Sequence, residues 1–349
     1  MALQYDSVSS SADFQAALTA TTLSAATQDA ITAILGNNET VAVGSFDGTT
    51  LTAPSGVDVE VVVADIAGNA GDQVTVTLPA DAMASASAWV FNSEADLTVA
   101  FNTVERVIAS GNGSDTITVA GDKNTVLDGA DGNDSLSTSG GNDSVTGGAG
   151  DDSISTAAGD DTIVAGEGND TIDAGTGFDI VQIEGASSSF DFSVLGGSLV
   201  ATALDGSASV TASNVEVFSF GALDNVVITA NDTEANAMRL YEGLFARSAD
   251  LGGAKFWFDK IDQGTSLEEI AGGFLASDEL QSYGELSNEQ YVQTLYVNAL
   301  DRDAEDAGQQ FWLDQMENGA SREQVAISIV GSNEGVDVID SVIVITGLV

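Results

Sequence analysis

Residues 147–173 read GGAGDDSISTAAGDDTIVAGEGNDTID, a stretch composed mainly of glycine, aspartate and small polar residues. A period of nine residues runs through this stretch and beyond it on both sides, with one aspartate in each period. The aspartates at successive ninth positions are Asp134, Asp143, Asp152, Asp161, Asp170 and Asp179. A fixed period of this kind indicates a repeat architecture, in which each short unit stacks on its neighbours.

One apolar residue lies two positions after each of these aspartates. The apolar residues are Leu136, Val145, Ile154, Ile163, Ile172 and Val181. Glycine tolerates the positive φ angles of tight turns, and a short strand can direct a single side chain inward. Each unit is therefore predicted to be a glycine-rich turn followed by a strand. Stacking the units into a parallel coil would line up the apolar residues as a thin, continuous core.

The same coil would stack the aspartates into rows. Two units make one full coil, so aspartates 18 residues apart should face each other. The expected rows are Asp134, Asp152 and Asp170 on one edge, and Asp143, Asp161 and Asp179 on the other. No Lys or Arg occurs from Asn124 to Met238 to offset the repulsion within these rows. Carboxylate and carbonyl oxygens are the ligands that Ca²⁺ prefers, so the sequence predicts bound calcium.

The segments GGAGDDSIS (147–155) and GEGNDTID (166–173) resemble the nonapeptide repeat of the RTX calcium-binding proteins. The resemblance implies a parallel β-roll in which the repeat aspartate and the turn carbonyls bind Ca²⁺, and it extends this role to the six aspartates named above. Asp115, in GNGSDTITV, fits as a seventh ligand. In VAGDKNTVL (119–127), Asn124 is predicted to occupy an aspartate position and Asp128 to be an extra residue that shifts the register.

A second repeat, with an offset of 55 residues, occupies the C-terminal part of the chain. The equivalent pairs include Tyr241 and Tyr296, Arg247 and Arg302, Phe256 and Phe311, and Trp257 and Trp312. Ser266 with Glu269, and Ser321 with Gln324, are predicted capping boxes. Each copy is thus expected to contain a helix, a loop, a second helix and a capped third helix. The pattern resembles the DUF4214 family, a small helical domain of bacterial surface and secreted proteins.

Two interpretations of the repeated aromatic residues remain open. Aromatic residues at helical spacing are usually buried, which favours core packing for Tyr241, Trp257, Tyr296 and Trp312. The alternative is a glycan-binding groove. Arg247 and Arg302 lie among acidic residues and are predicted to form structural ion pairs.

The remaining segments complete a mainly β fold with a helical C-terminal domain. Alternating apolar and polar residues predict strands on both sides of the repeats, which continue or cap the solenoid. The predicted organisation is an N-terminal helical segment (1–38), a β-rich flank (39–109), the RTX β-roll (110–182), a second β-rich flank (183–230), the DUF4214-like duplication (231–336) and a tail (337–349). The N-terminal helices should pack on the first strands, and a polymerisation arm is the alternative.

The ends of the chain bear on its export. The N-terminus lacks the basic region of a secretory signal peptide, since the first basic residue is Arg106. The last residues, VDVIDSVIVITGLV, resemble the uncleaved C-terminal signal of type I secretion substrates, and an ordinary terminal strand is the alternative. No apolar run is long enough for a transmembrane helix. An extracellular or cell-surface protein that engages the type I secretion machinery is expected.

Composition narrows the possible functions. The chain has 54 acidic and 8 basic residues and a net charge of −46, which argues against nucleic-acid binding. It has no His and no Cys, so a Ser-His-Asp triad, a cysteine nucleophile and a His-ligated zinc are absent. The prediction is a non-enzymatic, calcium-binding structural protein of a surface layer, filament or matrix, forming a homo-oligomer or polymer. The alternative is a calcium-dependent adhesin or carbohydrate-binding module that recognises a cell-surface glycan.

Overall fold

The computed structural model describes residues 9–18, 25–35, 40–102 and 106–345. Parts of the predicted N-terminal segment and the last four residues of the predicted tail lie outside this description. The chain divides into two compact units. The first contains the described residues up to Glu184 together with Ser189–Val215, and the second contains Gly185–Ser188 and the residues from Glu216 onward.

Within the described residues, the first unit consists of short strands and three helices. The strands are β1 (Ser9–Ser10), β2 (Thr40–Val41), β3 (Val43–Phe46), β4 (Leu51–Thr52), β5 (Val61–Asp65), β6 (Gln73–Val76), β7 (Ala88–Asn92), β8 (Asp96–Phe101), β9 (Arg106–Ala109), β10 (Thr116–Val119), β11 (Thr125–Asp128), β12 (Ser135–Ser137), β13 (Ser144–Ala149), β14 (Ser153–Ser155), β15 (Thr162–Glu167), β16 (Asn169–Asp173), β17 (Ile180–Gln182), β18 (Phe190–Leu195), β19 (Ser198–Ala203) and β20 (Ser209–Ser213). The helices are α1 (Ser11–Leu18), α2 (Ala25–Leu35) and α3 (Ala80–Ser85).

Successive strands of the first unit alternate between two largely parallel sheets. One sheet has the order β18, β19, β20, β16, β14, β12, β10, β8 and β6, and the other runs from β17 through β15, β13, β11, β9, β7, β5 and β3 to β4. Two strands and two turns therefore make one coil. Leu136 pairs with Ile154 and Val145 pairs with Ile163, so each coil of the repeat contains 18 residues. The unit is a parallel β-solenoid, which confirms the fold predicted from the nonapeptide period.

The apolar residues of the repeats form two columns inside the coil. Leu136, Ile154 and Ile172 stack in one sheet, and Val145, Ile163 and Val181 stack in the other. All six side chains are buried. Because each coil adds only two of these side chains, the stability of the repeat region depends on regular stacking between neighbouring coils.

The core continues beyond the repeats and becomes aromatic towards the N-terminus. Ile117 of the first repeat coil stacks on Val99 of the preceding coil. In the coils nearer the N-terminus, Trp89 packs against Phe46, Phe91 and Phe101 with ring centroids 5.9 to 6.4 Å apart. The strands predicted in the first β-rich flank are thus earlier coils of the same solenoid.

Arg106, the first basic residue of the chain, forms buried hydrogen bonds that stabilise these early coils. Its guanidinium is buried and donates hydrogen bonds to the carbonyl oxygens of Met83 and Ala86, at the C-terminal end of α3, and to Asn102 Oδ1. Burial lowers the pKa of Arg106 from its ordinary value. A cation at this end of a helix is favourable, because the last carbonyl groups carry partial negative charge.

The N-terminal helices cover the outer face of one sheet. Phe14 and Leu18 of α1 and Ile31 of α2 are buried against Val43, Val61, Ala88 and Val107. Thr27 of α2 donates its hydroxyl to Asp128 Oδ2 at 2.6 Å. These contacts favour packed helices over the predicted alternative of a polymerisation arm.

The second unit contains three strands and eight helices among its described residues. The strands are β21 (Val217–Ser219), β22 (Asn225–Thr229) and β23 (Val342–Val344), and the helices are α4 (Asp232–Phe245), α5 (Leu251–Asp262), α6 (Leu267–Leu275), α7 (Asp278–Gln281), α8 (Asn288–Leu300), α9 (Asp306–Glu317), α10 (Arg322–Val330) and α11 (Asn333–Val338). Strand β22 pairs antiparallel with β21 and parallel with β23. The segment predicted as a secretion signal therefore includes a strand of this sheet, and its role in export stays a prediction.

The helices follow the predicted duplication. α4, α5 and α6 form the first copy, and α8, α9 and α10 form the second. Capping boxes begin α6 at Ser266 and α10 at Ser321, as the sequence predicts. A third capping box, at Ser287 with Gln290, begins α8. The first helices of both copies, α4 and α8, pack against each other and against α10.

We expect Ile154→Ala to destabilise the coil by about 2 to 5 kcal/mol, because it removes a fully buried side chain from a thin core. Ser153→Ala, at the adjacent exposed position, is the matched control and should change stability little. Urea unfolding in saturating calcium, followed by far-ultraviolet circular dichroism, measures both. Equal midpoints for the two variants would contradict the buried column.

Candidate calcium-binding turns

The repeat aspartates end two rows of stacked turns, one along each edge of the solenoid. The first row contains the turns at residues 110–115, 129–134, 147–152 and 165–170, and the second row contains those at 138–143, 156–161 and 174–179. In each row the turns lie 18 or 19 residues apart and follow the register of the strands. The structure therefore brings together the aspartates that the sequence places on each edge.

An inner ladder of hydrogen bonds joins the aspartates of each row. In the first row the backbone N–H of Asp134 donates to Asp152 Oδ1 at 2.8 Å, and that of Asp152 donates to Asp170 Oδ1 at 3.0 Å. In the second row the N–H of Asp143 donates to Asp161 Oδ1 at 2.7 Å. Asp161 in turn donates to Asp179 Oδ1 at 2.8 Å. Each aspartate thus uses one carboxylate oxygen to hold the preceding coil.

In five of the repeat aspartates, the other carboxylate oxygen is buried without a hydrogen-bond donor. This holds for the Oδ2 atoms of Asp134, Asp143, Asp152, Asp161 and Asp170. A buried carboxylate oxygen without a partner carries a desolvation cost that grows when the group is ionised. Five such atoms at equivalent positions point to a ligand that supplies positive charge to these five turns.

The turns form a cradle beside the unpartnered oxygens in the first row. A methyl group added at Gly147 would overlap both Asp152 Oδ2 and the carbonyl oxygen of Ala165. A methyl group added at Gly129 would overlap Asp134 Oδ2 and the carbonyl oxygen of Gly147. A carboxylate oxygen and a carbonyl oxygen of the next turn thus converge on the same space, which only glycine leaves open.

Burial changes the protonation of the same carboxylates. Desolvation, reinforced by neighbouring aspartates, raises the pKa of Asp134 to about 8. Desolvation also raises the pKa values of Asp143, Asp152 and Asp170 to about 6. It raises the pKa of Asp161 as well. Near neutral pH, ionised carboxylates in these rows therefore need a cation to stabilise them.

The donor set fits calcium. Among the described residues, no three carboxylates converge on one point, so side chains alone do not provide the six to eight oxygens that Ca²⁺ takes. Two stacked aspartates and the carbonyl groups of adjacent turns can supply oxygens of the required kind. Aspartate and backbone carbonyl oxygens are hard ligands, which suit Ca²⁺ better than softer transition metals.

Asp115 differs from the other predicted ligands. Its Oδ1 accepts from the N–H of Leu97 at 2.7 Å, and its Oδ2 accepts from the N–H of Gly111 at 3.1 Å. Both of its oxygens therefore have hydrogen-bond donors. A metal role for Asp115 stays a prediction, and its geometry is that of a cap on the preceding coil.

An outer ladder, which was not predicted from the sequence, runs in the opposite direction. The residue before each aspartate accepts a hydrogen bond from the equivalent N–H of the next coil: Asn133 Oδ1 from Asp151, Asn142 Oδ1 from Asp160, and Asp151 Oδ1 from Asn169. The sequence carries the signal as the recurring Asn-Asp and Asp-Asp pairs. Either side chain offers the acceptor oxygen, which explains why both occur.

The ladders correct the predicted register of the unit at 119–127. The N–H of Thr125 donates to Asp143 Oδ1 at 2.7 Å, and Asn124 Oδ1 accepts from the N–H of Asn142 at 2.9 Å. Thr125, rather than Asn124, therefore occupies the aspartate position. The prediction for Asn124 was wrong because the extra residue of this coil precedes Thr125, so Asp128 does not shift the register.

The last turn ends the outer ladder. Phe178 donates its N–H to Asp160 Oδ1 at 3.0 Å, and its buried ring replaces the Asn or Asp of earlier turns. A phenylalanine offers no acceptor oxygen to a further coil. Phe178 therefore closes this row of turns with an apolar side chain.

In the helical unit, most residues shared by the two copies serve packing. Tyr241 and Tyr296 are buried, while Trp257 and Trp312 are half-buried. Trp257 stacks on Phe274, and Trp312 donates its indole N–H to the Tyr296 hydroxyl at 3.2 Å. Core packing therefore accounts for these aromatic residues.

The repeated arginines form equivalent ion clusters. Arg247 pairs with Glu279 at 2.8 Å and with Asp250 at 3.2 Å, and it lies over the Tyr241 ring. Arg302 pairs with Glu334 and Glu305 and lies over the Tyr296 ring. Both arginines thus have the ion-pair partners that the acidic context predicts.

Comparison with known families identifies both repeats. Residues 119–154, 128–163 and 146–181 match the RTX calcium-binding nonapeptide repeat, and residues 229–282 and 275–338 match DUF4214, a domain of unknown function. Searches of curated proteins and of solved structures find no significant match. The two resemblances noted in the sequence are confirmed, and calcium is the ion that such repeats bind. Across the described part of the chain, no helix has the length and apolar character needed to cross a bilayer.

Asp152→Asn should weaken calcium binding by at least about tenfold, because it replaces an anionic oxygen in the cradle by a neutral amide. Asp151→Asn is the matched control. It removes the same charge from an exposed neighbouring residue. The outer ladder should survive, because Asn133 and Asn142 accept the equivalent hydrogen bonds in other turns. Isothermal titration calorimetry with Ca²⁺ compares the two. Equal losses would mean that overall charge, rather than the buried oxygen, determines affinity.

Without calcium, the coil should become less stable as pH rises from about 4 to about 8. The folded pKa values of Asp134, Asp143 and Asp152 lie above the ordinary aspartate value. The folded state therefore holds more protons than the unfolded state in this range, and loses that stabilisation as the buried carboxylates ionise. Urea unfolding of calcium-free protein across this range measures the slope.

General repulsion in an acidic chain would give a slope of the same sign, so variants must separate the two causes. Asp152→Asn should flatten the slope clearly. Asp151→Asn, with the same net charge, should change the slope much less, because Asp151 affects the buried carboxylates only through its charge. Indistinguishable slopes would assign the effect to general repulsion.

Proposed function

We propose that the chain is a non-enzymatic, extracellular structural protein that folds and assembles when it meets calcium after type I secretion. A surface layer, a filament or a matrix is the proposed setting. The observation that carries the proposal is the set of five buried aspartate oxygens that lack donors in the repeat turns. Calcium binding and folding are then a single event, because the carboxylates adopt these positions only in the coil.

The proposed ligands are Asp134, Asp143, Asp152, Asp161, Asp170 and Asp179, together with carbonyl groups of the adjacent turns. Each ion would neutralise charge within a row and link two neighbouring coils. Asp115 is left outside this set, because both of its oxygens already accept backbone hydrogen bonds.

Coupling between calcium and folding supports export as an unfolded chain. In a compartment with little free calcium, the aspartate rows repel each other and the coil is unstable, so the chain can pass through a narrow channel. Outside the cell, calcium is abundant and folding becomes favourable. RTX repeats are typical of type I secretion substrates, and the difference in calcium concentration would drive the process in one direction.

Assembly follows from the same charge balance. With a net charge of −46, two copies of the chain repel each other strongly at low ionic strength. Calcium neutralises the repeat rows and can also bridge carboxylates of different copies. The lack of His and Cys, together with the commitment of the buried aspartates to the turns, supports a structural rather than a catalytic role.

A second candidate function is an adhesin or carbohydrate-binding module. It is favoured by one observation: Phe256 and Phe311, equivalent residues of the two helical copies, are 50% and 52% exposed. Each ring packs edge-on against the neighbouring Trp, with centroids 4.8 and 4.9 Å apart. An exposed aromatic ring retained in both copies could stack on a sugar.

Sedimentation velocity tests the proposed assembly. The chain is expected to form large species in millimolar Ca²⁺ that dissociate when a chelator is added to the same sample. Mg²⁺ at matched ionic strength is the control, because it screens charge equally but fits the turn carbonyls poorly. A compact monomer in calcium would contradict assembly. If that monomer shifted on glycan addition, and Phe256→Ser with Phe311→Ser abolished the shift, the second candidate would replace the first.

A further inference from the structure

One edge of the nine-stranded sheet of the first unit is a hairpin that exposes apolar side chains. β18 and β19 pair antiparallel through Gly196 and Gly197, whose φ angles of 64° and 94° suit a two-residue turn. β18 is the last strand of its sheet. Four large apolar side chains of this unit are exposed among the described residues, and three lie in or next to the hairpin: Val194 at 50%, Leu195 at 72% and Leu204 at 63%.

The hairpin is also nearly free of charge. Residues 192–204 contain no Asp, Glu, Lys or Arg, in a chain of net charge −46. Strands at the edge of a sheet are usually protected from pairing with another chain by Lys, Pro or inward-pointing charges. β18, with the sequence FDFSVL, has only Asp191. This edge therefore lacks the features that keep most strands from adding a neighbour.

The geometry of β18 favours a partner strand that pairs with its edge over a partner that docks on one face of the sheet. Val194 and Leu195 are consecutive, so their side chains point to opposite faces of the sheet. A partner docking on one face would cover only one of them. A strand added at the edge would flank both.

We propose that a second copy of this chain occupies this edge, with the β18 strands of the two copies paired antiparallel about a two-fold axis. The inference rests on the proposed function and names the contact from which assembly begins. Two chains of this charge can approach most closely where neither carries charge, and the same neutral edge meets itself in an isologous contact. A two-fold axis at Val194 places the Val194 residues of the two copies opposite each other. It also places Asp191 of each copy opposite Gly197 of the other, which keeps the two Asp191 carboxylates apart.

The contact is small, so its strength depends on the charge elsewhere. Contacts well below about 1,000 Å² are usually weak. Repulsion between the remaining surfaces opposes this one, and calcium bound in the repeats reduces that repulsion. The pairing should therefore strengthen with calcium and with added salt.

Two variants test the edge by charge. Leu195→Lys places a cation on the strand, and Val57→Lys makes the same change at a residue that is 47% exposed elsewhere in the unit. Sedimentation velocity in millimolar calcium should show association of the wild type and Val57→Lys, and at least tenfold weaker association of Leu195→Lys. Unchanged circular dichroism and calcium binding would show that both variants fold.

Cysteine substitution tests the axis. The chain has no Cys, so Val194→Cys introduces a single thiol. Residues directly opposite in an antiparallel pair have Cβ atoms about 4.5 to 5.5 Å apart, so mild oxidation should give disulfide-linked dimers. Val57→Cys should give none at the same concentration.

The outcomes separate this contact from the proposed function. If the wild type and Leu195→Lys associate equally in calcium, the assembly stands and the β18 contact is overturned. If the wild type stays monomeric in calcium, both are overturned. Flotation of monomeric wild type with phosphatidylcholine vesicles, lost in Leu195→Lys, would reassign the edge to a lipid surface.

Discussion

Carboxylates buried in two rows of like charge are the constraint on which the solenoid depends. Each repeat aspartate uses Oδ1 to accept the N–H of the preceding coil, and this bond fixes the carboxylate inside the turn. The same position leaves Oδ2 buried without a donor in five of them. The hydrogen bond that orders the coil thus creates the site that requires a cation, so the fold and the metal requirement have one origin.

The nonapeptide period was sufficient to predict the solenoid, its two columns of core residues and the pairing of aspartates 18 residues apart. These features depend only on residue type and spacing. The outer ladder was missed because Asn and Asp before each aspartate look like general turn residues until the coils are stacked. Asn124 was assigned to the aspartate position incorrectly, because one added residue cannot be placed within a coil from the sequence alone. The hydrogen bonds of Asp115 could not be predicted from the repeats, because one of them comes from the N–H of Leu97 in a coil that lacks the repeat pattern.

Negative charge affects the two units differently. In the solenoid the buried aspartates stack on one another, while the two cations have other partners. Arg106 donates to the carbonyl oxygen of Ala86, and Lys123 lies 3.8 Å from Asp122. In the helical unit, Arg247 and Arg302 pair with Glu279 of α7 and Glu334 of α11, the helices that follow their own copies. The helical unit therefore has internal partners for part of its charge, whereas the repeat turns need an external ion. Calcium should accordingly control the order of the coil more strongly than that of the helices.

A crystal structure of the chain in saturating calcium, with anomalous data, would show directly whether the repeat turns hold calcium. We expect ions in both rows of turns, each within about 2.3 to 2.6 Å of an aspartate Oδ2 atom and of turn carbonyl oxygens. An intact coil in which water or a protein donor contacts the Oδ2 of Asp152, with no ion in either row, would contradict this expectation.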